Sequence, residues 1–98
     1  MRLTAEILGF AVALMHVEFF GIPRVRVGVG GMKMHANTLG QLLVSLAVEV
    51  PAMRELIDGR SLRASFVANL NGDRFIRDPE TPLAEDDRVL ILSADAGG

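Results

Sequence analysis

The hydrophobic pattern in the first part of the chain predicts a β-hairpin. Residues 16–22 (HVEFFGI) are rich in β-branched and aromatic side chains, which is typical of a strand. Pro23 ends or bends that strand, because proline has no backbone N–H to donate. Apolar residues then alternate with polar or small ones as far as Ala36. We therefore expect a second strand that ends near Ala36, with the turn of the hairpin within residues 23–31.

A helix is predicted over residues 38–50. Its apolar residues keep the spacing of one buried stripe and are Leu39, Leu42, Leu43, Leu46 and Val50. Thr38 and Gln41 form a T-x-x-Q capping box, in which each side chain accepts a hydrogen bond from an amide at the start of the helix. Pro51 cannot continue the helix, and a shorter helical segment is expected near residues 52–57.

The rest of the chain predicts three further strands. Residues 65–70 form the first of them, and Asn71-Gly72 is the strongest hairpin signal in the sequence. It leads into a short strand at residues 74–77. A turn-rich connector, residues 78–87 (DPETPLAEDD), separates that strand from the last one, RVLILS, which ends at Ser93.

These elements together predict an α+β fold, in which one main helix and one short helix cover a mixed sheet of four to five strands. The first and last strands are both rich in apolar residues, which suits central positions side by side. A chain of 98 residues, half of them hydrophobic, fits one domain with a modest core. We place that domain at residues 15–98. Residues 1–14 are either an accessory helix with one apolar face or a translated leader, and the pattern favours neither.

The composition excludes several kinds of function. The sequence has no cysteine, which rules out disulfides, thiolate metal sites and cysteine nucleophiles. Its formal net charge of −2 offers no basic face to nucleic acid. No apolar stretch approaches the roughly 20 residues that span a bilayer. A cysteine-free domain also suits a reducing compartment, so we expect a cytoplasmic protein without nucleic-acid or membrane partners.

Two groups of polar residues look like sites, but a simpler interpretation fits each of them better. His16 and His35 have no third ligand at a metal-like spacing, so we expect no metal site. The glycines of residues 28–31 are not followed at once by a helix start, so they are interpreted as turn glycines and not as a nucleotide loop. The acidic residues of the connector are interpreted as a solvated turn, which could also steer docking to a basic partner.

Four motifs occur in a fixed order along the chain. They are VEFFGIPR at residues 17–24, TLGQLL at 38–43, a strand that ends in Asn-Gly at 66–72, and TPLAEDDRV at 81–89, which runs on to a terminal Ala-Gly-Gly. In order, spacing and terminal position they resemble the MoaD/ThiS family, which comprises the small subunits of molybdopterin synthase and the thiamine-type sulfur carriers. The resemblance covers residues 15–98 and implies a β-grasp (ubiquitin-like) fold.

The resemblance also implies a mechanism centred on Gly98. An ATP-dependent adenylating enzyme, related to ubiquitin activators, would convert the Gly98 carboxylate to an acyl-adenylate. Sulfur would then displace AMP and leave a thiocarboxylate, which is donated inside a partner enzyme such as a molybdopterin synthase large subunit. Gly97 and Gly98 have no side chains, so a flexible Gly-Gly tail could enter a narrow channel. The chain itself would bind no cofactor and would serve as a non-catalytic sulfur-donor subunit.

Three other functions remain open at this point. The chain could carry sulfur for thiamine thiazole or another sulfur-containing metabolite. It could be a ubiquitin-like modifier that forms isopeptides with target lysines, or a plain interaction module with an idle tail. The opening strand and the length of residues 15–98 favour the molybdopterin pathway.

The sequence also predicts a partner-binding surface on the open face of the sheet. If Val17 and Phe19 face the helix, Phe20 faces the opposite way, and the same alternation turns Leu90 and Leu92 outward. Exposed apolar patches of this kind often mark protein partners. The alternative is that residues 1–14 cover this face.

Two positions depart from the family pattern. Asp86 stands where the family connector usually has glycine, and aspartate tolerates the left-handed backbone of such a turn. Asp95 places a charge beside the tail, where the family is usually apolar, and we expect it to influence the choice of partner.

Overall fold

The structure, a computed structural model, describes residues 12–97 of the chain. Its strands, in chain order, are β1 (Leu14–Phe19), β2 (Gly31–His35), β3 (Ile57–Asp58), β4 (Ser61–Leu62), β5 (Phe66–Leu70), β6 (Arg74–Ile76) and β7 (Arg88–Ser93). Its helices are α1 (Ile22–Val27), α2 (Leu39–Glu49) and α3 (Ala94–Gly97), and a 3-10 turn follows α2 at Pro51–Glu55. The accessory helix or leader predicted for residues 1–14 lies almost wholly outside the described residues.

Five strands form one mixed sheet in the order β2-β1-β7-β5-β6. The first and last strands, β1 and β7, lie side by side at its centre and run parallel, whereas every other pair in this sheet is antiparallel. Within the described residues, the two short strands β3 and β4 pair only with each other. The predicted α+β class and the central position of the first and last strands are both confirmed.

One face of the sheet packs against α2 and forms the core. The inward residues of the central strands, Val17, Val89 and Ile91, are fully buried, as are Leu42, Leu43 and Leu46 on the apolar stripe of α2. Burial of such side chains is the dominant favourable term in folding, at roughly 25 cal/mol per Å² of apolar surface. The opposite face of the sheet, which we call the open face, carries the alternate residues of each strand.

The start of α2 is held by the predicted cap and by the connector. Thr38 Oγ1 accepts a hydrogen bond from the Gln41 amide at 3.2 Å, as expected. Gln41 Oε1 accepts from the Asn37 amide at 2.8 Å, one residue before the position that a capping box predicts. The first two amides of the helix donate instead to carbonyl oxygens of Thr81 and Pro79. The connector therefore satisfies groups that the helix leaves free.

The stretch after β1 differs from the prediction. Residues 22–27 form α1, where the alternating valines had suggested a turn and a strand. Proline favours the first turn of a helix, and Pro23 lies there. Gly28 ends α1 with a left-handed φ of 86°. Val25 is 82% exposed, so the alternation of valines in this stretch does not reflect burial.

The later turns follow the expectations closely. Asn71 and Gly72 both have positive φ and join β5 to β6. Asp86 has a φ of 66°, which confirms that aspartate adopts the left-handed turn where the family has glycine. The Asp87 carboxylate accepts hydrogen bonds from the Ala84 amide at 2.8 Å and from Asn71 Nδ2 at 2.9 Å. The acidic connector is therefore a hydrogen-bonded turn.

We predict that a chain starting at Val12 is more stable than one starting at Met15. The backbone groups of Ala13 and Leu14 make four hydrogen bonds. Their carbonyl oxygens accept from the amides of Ala36 and Asp86, and their amides donate to the side-chain oxygens of Asn37 and Glu85. Each is worth about 0.5–1.5 kcal/mol, so the shorter chain still folds but unfolds at a lower denaturant concentration. Urea titrations followed by circular dichroism measure the difference. If the chain that starts at Met15 is unfolded, the domain begins before the predicted boundary.

We also predict that Gly40→Val destabilises the protein by about 1–3 kcal/mol, because it overpacks a tight crossing. A Cβ at Gly40 would lie 2.8 Å from Arg60 Nη2 and 3.0 Å from Pro79 Cβ. Gly40→Ala should cost less, because alanine favours the helix by about 1 kcal/mol over glycine. Thermal or urea unfolding of the three proteins tests this order. A Gly40→Val variant as stable as the parent would show that the connector yields easily.

Candidate functional site

The root of the C-terminal tail is the central strand β7. Hydrogen bonds to β1 and β5 hold this strand on both sides, and the Ala94 amide donates to the Ser65 carbonyl at 2.9 Å just after the strand ends. The short helix α3, which ends at Gly97, follows without a loop and carries Asp95 in its first turn. Gly98 lies outside the described residues, so its role and the flexibility of the tail stay predictions.

The open face beside this root is partly apolar. Leu90 is half-buried and lies opposite Glu18 on one side and Asn69 on the other. Leu92 lies opposite Val67 and is only 7% exposed, although it does not belong to the core cluster beneath α2. The expected direction of both leucines is therefore right. The expected exposure of Leu92 is wrong: Leu92 lies opposite the apolar Val67, whereas Leu90 lies between polar residues.

Phe20 is the aromatic residue of the predicted surface. It lies just beyond the end of β1, and its amide donates to the Ile91 carbonyl at 3.0 Å. This hydrogen bond fixes its backbone beside β7 while the residue stays 55% exposed. Phe20 therefore lies beside the C-terminal end of β7, where the tail begins. This follows from the parallel, side-by-side pairing of the first and last strands.

Sequence reasoning missed two further members of this surface. Phe75 on β6 lies opposite Asn69 and is 52% exposed, and the half-buried Val67 lies opposite Leu92. The alternation around the inward-facing Ile76 could have identified Phe75 as an outward residue. We call the set Phe20, Val67, Phe75, Leu90 and Leu92 the open-face patch.

Charged residues border the open-face patch toward β2. Arg88 Nη1 donates to Glu18 Oε1 at 2.7 Å, and His16 lies opposite Arg88 in the register of β1 and β7. Both partners of the ion pair are substantially exposed, so the pair contributes little to stability. An apolar centre with a charged border is the usual composition of a surface that binds another protein.

Within residues 12–97, the structure offers little for other chemistry. No three potential metal-ligating side chains come together in this part of the chain. No helix among the described residues is long and apolar enough to cross a membrane. A groove of about 500 Å³ lies between β2 and α2, well separated in the sheet from the tail root.

Comparison with known proteins shows which solved structures share this architecture. No protein-family model and no curated protein matches the sequence, but solved structures match it well. The solution structure of small archaeal modifier protein 1 (SAMP1) from Methanosarcina acetivorans has a TM-score of 0.73 and 25% identity, over 90% of this chain and 99% of that one.

Molybdopterin-converting factors match as well. A complex of subunits 1 and 2 of this factor from Helicobacter pylori has a TM-score of 0.62 and 26% identity, over 87% of this chain and 99% of the matched one. A putative subunit 1 from Pyrococcus furiosus has a TM-score of 0.69 and 17% identity, over 83% and 97% of the two chains.

The five-stranded mixed sheet, its main helix and these neighbours define a β-grasp, ubiquitin-like protein. Within that class, its structural neighbours are SAMP1 modifiers and subunit 1 of molybdopterin-converting factor, which confirms the resemblance to the MoaD/ThiS family. The Helicobacter pylori structure shows subunit 1 bound to subunit 2.

We predict that Phe20→Asp weakens binding to a large-subunit partner at least about tenfold while the fold survives, because an exposed aromatic anchor is lost and a charge is placed in the contact. Val48→Asp is the matched control, because Val48 is 66% exposed on the outer side of α2. Calorimetric titration measures affinity, and circular dichroism checks the fold. Leu92→Asp should instead destabilise the protein. Equal affinities for Phe20→Asp and the control would remove Phe20 from the contact.

Proposed function

We propose that this protein is a sulfur carrier that donates sulfur in molybdopterin biosynthesis through a thiocarboxylate on Gly98. The observation that carries the proposal is the likeness to subunit 1 of a molybdopterin-converting factor that was solved in complex with its subunit 2. The match covers 99% of that subunit, and the open-face patch beside the tail root provides a surface for a comparable partner.

Activation requires a separate adenylating enzyme. The Gly98 carboxylate attacks the α-phosphorus of ATP, pyrophosphate leaves, and an acyl-adenylate forms. The carboxylate alone is a poor acylating group, whereas the mixed anhydride carries AMP as a good leaving group. Sulfide then attacks the acyl carbon, the bond to AMP breaks, and a thiocarboxylate remains. If the sulfur arrives as a persulfide, a thiol must afterwards cleave the S–S bond of the product.

In this scheme the chain supplies a sulfur nucleophile and the surface that partner enzymes recognise, and the partners supply the catalytic groups. The open-face patch docks the carrier, and β7 holds the start of the tail at a fixed distance from the docked surface. Asp95 is exposed on α3, and in this scheme a partner that binds the tail contacts it. ATP is bound by the adenylating enzyme, and the work is proposed to take place in the cytoplasm.

The SAMP1 likeness favours a second candidate, a ubiquitin-like protein modifier. Both functions begin with the same acyl-adenylate at Gly98. They differ in the nucleophile, which is sulfur for a carrier and a lysine amine for a modifier. A carrier for thiamine thiazole or another sulfur-containing metabolite would share the thiocarboxylate and differ only in the acceptor enzyme.

We predict that deleting Gly98, or adding one alanine after it, abolishes adenylation while stability changes by less than about 0.5 kcal/mol. A shortened tail cannot bring the carboxylate to the adenylate site, since a displacement of about 1 Å can cost on the order of a hundredfold in rate. An added residue converts the Gly98 carboxylate to an amide. Pyrophosphate exchange with the matching activating enzyme measures the first step.

Intact-mass analysis of protein purified from its own cells then separates the candidates. A mass gain that corresponds to sulfur in place of one oxygen supports the carrier, and isopeptide-linked adducts on other proteins support the modifier. One alanine added at the N-terminus controls for the change in length. Sulfur acquired by a protein without Gly98 would contradict Gly98 as the carrier site, and function that survives in cells without Gly98 would favour a plain interaction module.

A further inference from the structure

The strand β2 has one unpaired edge in the described part of the chain. It is the first strand in the sheet order and, among the strands that the structure describes, it pairs only with β1. The other edge strand, β6, has three residues, whereas β2 has five, and three of these are exposed. An unpaired strand edge presents a row of N–H and C=O groups that can pair with another chain.

The register shows which groups face outward. The Ala36 amide donates to the Ala13 carbonyl, and the Phe19 amide donates to the Gly30 carbonyl. Hydrogen-bonded and non-hydrogen-bonded pairs alternate in an antiparallel ladder, so Met32 and Met34 bond to β1 with their backbones. The backbone N–H and C=O groups of Lys33 and His35 therefore point away from the sheet.

A groove runs beside this edge, between β2 and α2. Its volume is about 500 Å³, and its lining includes Met32, Met34 and Val50 together with Ser45 and Glu49 of α2. The two methionines are half-buried on the core side of β2, because they lie opposite Met15 and Val17 of β1. Methionine is unbranched and polarisable, so it adapts to apolar side chains of different shapes.

The charge on β2 argues against a second copy of this chain as the occupant. If two β2 strands paired edge to edge in the antiparallel register that matches all five residues, Lys33 would lie directly opposite Lys33. Like charges in that position are destabilising. A lysine in the middle of an edge strand is a common protection against such self-association. An acidic residue from a different chain, by contrast, would be attracted to Lys33.

We propose that β2 binds an extended peptide segment of a partner protein, by strand addition, and that the segment has an apolar–acidic–apolar pattern. The alternation of side chains between the two faces of a strand determines the apolar–acidic–apolar pattern. The partner residue opposite Lys33 shares its face of the sheet, so an acidic side chain there pairs with the lysine amine. The residues on either side lie opposite Met32 and Met34, so their side chains enter the groove. Because β1 separates β2 from β7, this surface is distinct from the open-face patch.

A titration of the full 98-residue protein with a short peptide tests the proposal. The probe is acetyl-Thr-Val-Asp-Val-Thr-amide, and its control is the same composition with the order Asp-Val-Val in the centre. We expect amide NMR shifts that saturate and are confined to residues 31–36 and 45–50. The amides of Lys33 and His35 should exchange with solvent more slowly in the complex, because each gains a hydrogen bond.

A pair of variants at one position isolates the backbone contribution. His35→Pro removes the outward N–H, whereas His35→Ala keeps it, and neither change removes a hydrogen bond between β2 and β1. We expect His35→Pro to weaken peptide binding about tenfold relative to His35→Ala, which corresponds to one lost hydrogen bond. Proline is tolerated on an edge strand whose N–H faces solvent. Equal affinities of the two variants would overturn the strand-addition geometry.

A charge exchange tests the side-chain pattern independently, including the case in which the proline variant does not fold. Lys33→Glu should weaken binding of the original peptide and restore binding to a peptide with lysine in place of aspartate. Absence of that reversal would overturn the acidic position of the pattern. NMR shifts at Val67, Phe75 and Leu90 instead of at β2 would show that the peptide binds the open-face patch, and binding that does not saturate would show that β2 has no site. None of these results depends on Gly98.

Discussion

The parallel pairing of β1 with β7 is the interaction on which the rest of the structure depends. It joins residues about 70 positions apart in the sequence, from His16 with Arg88 to Phe19 with Ile91. Every other strand of the main sheet attaches to one side of this pair or the other. The pairing also brings the end of the first strand beside the start of the tail, which places Phe20 next to the segment that leads to Gly98. A contact between distant segments thus creates both the core and the candidate site.

The sequence predicts best the elements whose causes are local. The stripe of leucines and the Thr38 cap predict α2, and the tendency of aspartate toward left-handed backbone predicts the turn at Asp86, because in both cases neighbouring residues decide the conformation. The stretch that became α1 was predicted wrongly, since spaced valines look like a strand wherever they occur. Only the structure shows that Val25 lies in solvent and not against a sheet.

The candidate site could be predicted only in part, and the reason differs from the one that applies to α1. Alternation along β7 shows that Leu90 and Leu92 share a face, but the exposure of each depends on neighbours that only the sheet order defines. Val67 limits the exposure of Leu92, whereas Phe75 projects from a short edge strand whose assignment from the sequence rests on three residues. The direction of a side chain is thus a local property, and its accessibility is not. The role of Gly98 comes from family resemblance, which geometry alone could not supply.

The position of Lys33 has a consequence for the modifier alternative. It is the one lysine in the sequence, and it lies at the centre of β2, whose outer edge is unpaired within residues 12–97. If copies of this protein were linked to each other through isopeptide bonds, this side-chain amine would be the acceptor on each copy. Every link would attach a bulky tail to the middle of β2 and would neutralise the charge that keeps β2 from pairing with itself. Polymer growth and recognition of an extended apolar–acidic–apolar segment would therefore compete for the same residue.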